Sequence, residues 1–210
     1  MPTVTSDIYT MLDRAYGYFN QQLFDSMLPS VAITFQRHRR AYGYFQARSF
    51  ESKEGDKLGE IALNPLTFLE RDDRAILSTL VHEMVHVWQF EFGKPSRNGY
   101  HNRQFANKMK QVGLIASDTG EPGGKSTGQN MTHYIEIGGR FERLYAAFVG
   151  EGNTQIKWGS APQAVAVRPI SKMRFTCPIC SQRAWAKPSA KLKCGICDVI
   201  MFSEELDLER

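Results

Sequence analysis

The most informative segment of the chain is Thr79-Leu80-Val81-His82-Glu83-Met84-Val85-His86-Val87-Trp88-Gln89. It contains the pattern H-E-x-x-H, and most of its other positions are apolar. An apolar surface on nearly every side is typical of a buried helix. Asp72-Asp73 suits the start of that helix, where acidic groups favour the helix dipole, and Gly93 suits its end. We therefore expect a buried helix over residues 73–92.

Two histidines four residues apart on a helix lie on one face, one above the other. His82 and His86 can therefore point their imidazoles at a single metal ion, with Glu83 placed to take a proton from a water molecule. This set of ligands and base is typical of a zinc metalloprotease. The alternative is a structural helix whose core histidines find other partners. Without partners their burial would be costly, and a metal ion supplies them. The motif thus predicts a catalytic zinc.

A catalytic zinc usually has three protein ligands, so a third ligand must lie elsewhere in the chain. The metzincin pattern would require glycine at position 89 and histidine at position 92, where this chain has Gln89 and Phe92, so that class is excluded. We prefer His101, because it begins a predicted helix over residues 101–112 that a short loop can fold back beside the first helix. The fallback candidates are His133 and Glu136, and a glutamate ligand from a later helix would be Glu136 or Glu142.

The composition suits one main domain with a small appendage, since the chain has 210 residues of which 42% are hydrophobic. Residues 6–24 have helical periodicity, and residues 31–35, 44–50 and 59–64 are predicted strands. The fold class expected is α+β, with helices packed on a short three-stranded sheet. No apolar run is long enough to span a membrane, and the N-terminus does not resemble a secretory signal. We therefore expect a cytoplasmic protein without a membrane partner.

The four cysteines form two C-x-x-C pairs separated by thirteen residues. Four thiolates at this spacing are typical of a closed structural zinc site. A redox dithiol would need only one pair, within a thioredoxin-like βαβ unit that the sequence does not show. We expect a metalloprotease domain over residues 1–150, a linker over 151–169 and a four-cysteine zinc ribbon over 170–210. The ribbon's predicted ligands are Cys177, Cys180, Cys194 and Cys197.

The positive charge is concentrated toward the C-terminal end of the chain. Residues 152–197 contain eight basic residues and no Asp or Glu, although the net charge of the chain is only +4. This distribution predicts an anionic partner, with nucleic acid first. Trp185 and Phe175 could stack on bases there, or Trp185 could be the ribbon's own core. A second candidate surface is the basic loop 37–40 with Tyr44 and Phe45, which could equally be strand core.

Together, these motifs resemble those of the SprT-like zinc metalloproteases. The residues that carry the resemblance are the H-E-x-x-H segment, His101 followed by Phe105, the preceding Glu60-Ile61-Ala62-Leu63-Asn64-Pro65, and the cysteine module. The family often has Gly-His-Gly at the third ligand, where this chain has Tyr100-His101-Asn102. The resemblance implies a small zincin-like domain that cleaves proteins bound to single-stranded or junctional DNA. It also implies a role in DNA–protein crosslink repair, on the nucleoid if the source is bacterial. Candidate oxyanion partners are Tyr100, His133, Tyr134 and Arg140.

Overall fold

The chain divides into two compact units, residues 1–162 and residues 163–210. The computed structural model describes residues 3–97, 99–152, 156–161 and 171–204. None of the helices in these ranges is long and apolar enough to cross a membrane. Each unit has its own cluster of buried apolar side chains, so each is described separately below.

The first unit combines four helices with two small sheets, which confirms the predicted α+β class. Its helices are α1 (Val4–Phe24), α2 (Asp73–Phe92), α3 (Arg103–Val112) and α4 (Arg140–Gly150), with a 3-10 turn at Pro65–Thr67. Its strands are β1 (Val31–Phe35), β2 (Gly43–Glu51), β3 (Lys57–Leu63), β4 (Leu114–Ser117) and β5 (Thr132–Ile135).

The larger sheet has the order β1-β3-β2, so β2 is an edge strand. β3 is parallel to β1, with Ile33 opposite Ile61, and antiparallel to β2, where Phe45 lies opposite Ile61. The second sheet is the antiparallel pair β4–β5, which places Ala116 opposite His133. β4 is not among the strands predicted from the sequence.

Helix α2 runs through the middle of the first unit. Asp72 caps its N-terminus by accepting a hydrogen bond from the Ala75 backbone N–H at 2.7 Å. From Ile76 to Val85 every residue of the helix is buried. Since the apolar side chains of that stretch join the main core, the polar groups of the same stretch are held among packed side chains. That environment fixes the positions of His82 and Glu83.

The segment predicted as a linker, 151–169, lies partly against the first unit. The Ser160 backbone N–H donates to the Pro65 carbonyl at 2.8 Å, and Arg37 Nε donates to Ser160 Oγ at 3.3 Å. Residues 156–161 therefore pack beside the start of the basic loop 37–40. Residues 153–155 and 162–170 lie outside the described part of the chain.

The second unit contains a three-stranded sheet with the order β7-β6-β8, where β6 is Met173–Thr176, β7 is Arg183–Ala186 and β8 is Phe202–Glu204. Its buried core consists of Phe175, Cys177, Cys194 and Met201. Trp185 is 63% exposed, so the interpretation of Trp185 as the ribbon's core is wrong. Phe175 takes that place and is therefore not free to stack on a base.

Candidate metal centre

His82, His86 and His101 come together in the first unit, with one ring nitrogen of each inside a group that spans no more than 4.8 Å. The Nε2 atom of His101 lies 3.3 Å from Nε2 of His82 and 3.1 Å from Nε2 of His86. Burial lowers the pKa of all three imidazoles, and that of His86 falls to about 3. The rings are therefore neutral at pH 7, with lone pairs available for a metal.

These distances fit a tetrahedral metal. Imidazole nitrogens bound to zinc at about 2.0–2.1 Å in tetrahedral geometry lie roughly 3.3–3.4 Å from each other. Three neutral imidazoles that converge through Nε2 would repel one another without a cation between them. The residues present thus suit a zinc ion held by three nitrogens.

His101 is held by a backbone bridge and not by a helix. Its N–H donates to the Gly128 carbonyl at 2.8 Å, and the Gly128 N–H donates back to the His101 carbonyl at 3.1 Å. The predicted helix over 101–112 is wrong at its start, because α3 begins at Arg103. Asn102 caps that helix by accepting from the Phe105 backbone N–H at 3.0 Å. The histidine just outside the cap can therefore turn toward α2.

A side-chain network ties this cap to α2. Gln89 Nε2 donates to Asn102 Oδ1 at 2.8 Å, and Asn102 Nδ2 donates to the Lys94 carbonyl at 3.0 Å. Gln89 is buried, one helical turn beyond Val85. The contact fixes the loop that carries His101 against the helix that carries His82 and His86.

Glu83 lies beside the histidine group and lines the same cleft. Burial raises the pKa of its carboxyl group to about 8, against the opposing effect of a hydrogen bond from the Phe45 backbone N–H. Strand β2 comes close here, because a Cβ added to Gly43 would lie 3.3 Å from Glu83 Oε1. A positive charge at the three histidines would favour the carboxylate form of Glu83.

The cleft has a volume of about 1170 Å³ and is lined by the three histidines and Glu83, along with β2 and the basic loop. On the β2 side it is lined by Tyr42, Gly43, Tyr44 and Phe45. Phe45 also packs on the main core and on Phe90, with ring centroids 6.0 Å apart. Tyr44 remains at the cleft, 6.4 Å from the ring of His38. The strand-core alternative thus describes Phe45 better than Tyr44.

Three other candidates from the sequence, Glu142, Arg140 and His133, contact groups other than the three Nε2 atoms. Glu142 pairs with Arg74 at 2.8 Å and accepts from the Gly138 backbone N–H at 2.7 Å. Arg140 donates to the Gln22 carbonyl on α1. Of the four proposed oxyanion partners, His133 lines the cleft and Tyr134 lines a neighbouring pocket. His133 meets the far side of the His82 ring, with 3.1 Å between the two Nδ1 atoms.

Sequence reasoning missed Gly43, Ser78 and Asn102. These residues position the groups of the site but do not bind the metal themselves. Ser78 is four residues before His82 and so shares its face of α2, which is the one local signal that could have found it. Asn102 has the N-cap preference of its residue type. The close approach of Gly43 to α2 has no local signal, because it depends on the tertiary packing of β2.

The four cysteines of the second unit also form a group within 4.8 Å. Cys180 and Cys194 have their sulfur atoms 3.6 Å apart, close to the roughly 3.8 Å edge of a tetrahedral zinc–thiolate site. The two C-x-x-C pairs, which we call the first and second knuckle, have the same backbone pattern. The Ser181 N–H donates to the Cys177 carbonyl, and the Asp198 N–H donates to the Cys194 carbonyl. The backbone N–H of Cys180 contributes most to lowering the pKa of Cys177 to about 7, which favours a thiolate. The described part of the chain therefore contains two candidate metal sites.

Comparison with known proteins places this geometry in a family. A model of the SprT-like family matches residues 12–130, more than half of the chain, and that range includes all three histidines and Glu83. The chain is also similar to a Salmonella typhimurium protein described as an uncharacterized protein in the mucB 3′ region. The two are 44% identical over 50 residues, which cover 24% of this chain and 68% of that protein. On the family match, this chain belongs to the SprT-like family.

Proposed function

We propose that the protein is a zinc-dependent endopeptidase that acts on DNA-associated proteins and takes part in the repair of DNA–protein crosslinks. The observation that carries the proposal is Glu83, a buried carboxyl group next to a three-histidine site on the wall of an open cleft. A site that only stabilised the fold would not need a base there or a cleft leading to it. The proposed substrate puts the protein in the cytoplasm, and on the nucleoid if the source is bacterial.

The chemistry assigns one role to each group. His82, His86 and His101 would hold the zinc ion, which supplies Lewis-acid activation of a water molecule and of the peptide carbonyl. Glu83 accepts a proton from the attacking water and then donates it to the leaving amine of the cleaved peptide bond. The N–H of Phe45 holds the Glu83 carboxyl in one orientation during both transfers.

Strand β2 is where an extended substrate would bind. It is an edge strand, and residues 42–45 line the cleft. An extended peptide can add to such an edge through main-chain hydrogen bonds, with side-chain pockets on alternate residues. This mode suits an unfolded protein segment more than a compact substrate, and it requires no particular sequence.

The second unit supports DNA as the partner. In β6, Arg174 lies opposite Trp185 of β7, and Thr176 lies opposite Phe202 of β8. Residues paired in this way share one face of a sheet, opposite to the buried Phe175. Trp185 is 63% and Phe202 64% exposed. Two exposed rings on a face that also carries the exposed Arg183, which pairs with Thr176, suit base stacking together with phosphate contact. This combination favours single-stranded nucleic acid.

The basic loop beside the cleft extends the same argument to the first unit. Asn64 is buried and donates to the carbonyl oxygens of His38 at 2.6 Å and Ala41 at 2.7 Å. This fixes Arg39 and Arg40 at the edge of the cleft, where both are among the lining residues. A polyanion held there would bring proteins bound to it close to Glu83.

Cleavage of a protein crosslinked to DNA tests the proposal. The assay compares wild type and Glu83→Gln with single-stranded DNA, with duplex DNA and without DNA. We expect Glu83→Gln to keep its zinc and lose at least about 100-fold in cleavage rate, as removal of a general base does. Glu60→Gln is the matched control, because Glu60 is a buried glutamate that accepts from Thr34 Oγ1 outside the cleft. Undiminished cleavage by Glu83→Gln would contradict the role of Glu83 as the base. No cleavage by the wild type would favour the alternative, a non-proteolytic zinc-stabilised nucleic-acid-binding or regulatory protein.

Binding to a fluorescent single-stranded oligonucleotide tests the DNA partner. Trp185→Ala should weaken binding by about 1–3 kcal/mol if a base stacks on that ring. Trp158→Ala is the control, since Trp158 is 59% exposed but belongs to the first unit. Wild-type affinity should fall steeply with salt. An affinity that does not change with salt, or equal losses of affinity in Trp185→Ala and Trp158→Ala, would contradict DNA binding by the second unit.

A further inference from the structure

Behind the three-histidine site lies a chain of polar contacts that the proposed mechanism does not use. The chain begins at the Nδ1 atom of His82, which faces away from the other two imidazoles. That atom lies 3.1 Å from Nδ1 of His133 on β5. At the other edge of the His133 ring, Nε2 lies 2.9 Å from Ser78 Oγ. The Ser78 hydroxyl donates to the Ala75 carbonyl at 2.8 Å.

We propose that His133 is a positioning residue that accepts the Nδ1–H of His82 and so fixes His82 as an Nε2 ligand. The inference rests on the proposed metal site, because it assigns a role relative to that site. It gives His133 a function different from the ligand and oxyanion roles considered from the sequence.

The protons of this chain have one consistent arrangement. A ring that binds metal through Nε2 carries its proton on Nδ1, so His82 must donate toward His133. His133 then accepts at Nδ1 and carries its own proton on Nε2, where Ser78 Oγ accepts it. The Ser78 proton passes to the Ala75 carbonyl. Every donor has an acceptor, and the series ends on the helix backbone.

His133 also fixes the position of the His82 ring along α2. Ser78 and His82 are four residues apart, so one imidazole contacts two successive turns of the same helix face. Strand β4 holds His133 there through the pairing of Ala116 with His133. Outer partners of this kind set both the tautomer and the orientation of a metal-binding histidine.

Two substitutions separate the two edges of the His133 ring. In His133→Asn the amide oxygen is as many bonds from the backbone as Nδ1, so it can still accept from His82. In His133→Gln the amide lies nearer the former Nε2 position, so it can contact Ser78 but no longer serves His82. Both variants keep a polar side chain of similar size, which limits differences in folding.

Zinc affinity, measured on the full chain by competition with a chromophoric chelator, is the first readout. We expect His133→Gln to lose roughly 10- to 100-fold in affinity, and His133→Asn to stay within about threefold of wild type. The second readout is the visible d–d spectrum of the Co²⁺ form, which should shift in His133→Gln and not in His133→Asn. Ser117→Ala is the control, because Ser117 is a buried residue of β4 whose Oγ donates to the Glu121 carbonyl, away from this chain of contacts.

The outcomes are distinct. Wild-type affinity in His133→Gln, equal losses in Asn and Gln, or an equal loss in Ser117→Ala would overturn the proposal. Because the described residues hold two candidate metal sites, the chelator should remove metal in two steps. His86→Ala identifies the step that belongs to the histidine site, since His86 does not take part in the contacts with His133. If His86→Ala held all its metal as tightly as the wild type, the assignment of the three histidines as a metal site would be wrong, and the proposed function would fail with it. If only the His133 variants behaved as wild type, the proposed function would stand without this inference.

Discussion

At the scale of single residues, Gly43 shows how closely the backbone of β2 must approach α2. A Cβ at this position would lie 2.9 Å from the Ala62 carbonyl oxygen and 3.0 Å from Thr79 Cγ2. The first of these atoms is backbone and cannot rotate away. A side chain here would therefore push β2 from β3 or from the helix turn that carries Glu83.

We predict that Gly43→Ala destabilises the protein by about 1–3 kcal/mol, the usual cost of overpacking. Because Glu83 loses its fixed position, peptide cleavage should fall while zinc content stays at the wild-type level. Thermal melting, metal analysis and a peptide assay measure the three quantities. Gly17→Ala is the control, since nothing lies within 4 Å of a Cβ there, and alanine in a helix should gain up to about 1 kcal/mol. Full activity in Gly43→Ala would contradict the argument.

The raised pKa of Glu83 predicts how the metal-free protein responds to pH. The folded pKa of about 8 lies above the ordinary value of 4.5, so the folded state holds its proton over a pH range where the unfolded state has released it. The stability that depends on this proton is present below pH 4.5 and is lost as pH rises toward 8. Glu83→Gln removes the loss, because an amide does not ionise.

In the presence of a chelator, Glu83→Gln should therefore be more stable than wild type, on the order of 3 kcal/mol at pH 7. Thermal unfolding of both proteins between pH 4 and pH 9 measures the difference. It should be close to zero near pH 4, where both states are protonated, and it should widen as pH rises. A difference that did not change with pH would show that the Glu83 carboxyl is not the cause.

At the scale of helices and strands, the sequence predicted what depends on local pattern. The bounds of β1 and α2 were predicted as observed, because β-branched content and caps act within a few residues. β4 was missed because Leu114-Ile115-Ala116-Ser117 is a four-residue run with almost no exposed side, which gives no alternation. The contact of His133 with His82 was missed because 51 residues separate the two, and no local pattern encodes such a pairing.

The cap of α3 is the element on which the third histidine depends. Asn102 Oδ1 accepts from both the Phe105 backbone N–H and the buried Gln89 side chain. We predict that Asn102→Ala costs about 1–2 kcal/mol of stability and also weakens zinc binding, since His101 precedes the cap. Thr3→Ala removes the exposed cap of α1 and should cost stability at the lower end of that range without any effect on zinc. Chemical denaturation and chelator competition on both variants check this, and equal zinc affinities would contradict it.

At the scale of the whole molecule, the two units differ in what holds them together. The first unit has an extensive apolar core built from all four of its helices and the larger sheet. The described core of the second unit has four buried residues, and two of them are the candidate ligands Cys177 and Cys194. A core of that size cannot offset the entropy of ordering the chain, so metal binding must contribute the folding free energy.

We therefore predict that Cys194→Ser unfolds the second unit and leaves the first folded. Hydrogen exchange should show lost protection of the amides in β6, β7 and β8, while the amides of α2 stay protected. Binding of single-stranded DNA should fall, because Trp185, Arg183 and Phe202 no longer share a face. Cleavage of a short DNA-free peptide should stay at the wild-type rate, since the three histidines and Glu83 belong to the first unit. Ser181→Ala is the control, because it changes a hydroxyl next to the first knuckle but removes no thiolate. Protected ribbon amides in Cys194→Ser would show that the second unit folds without its metal.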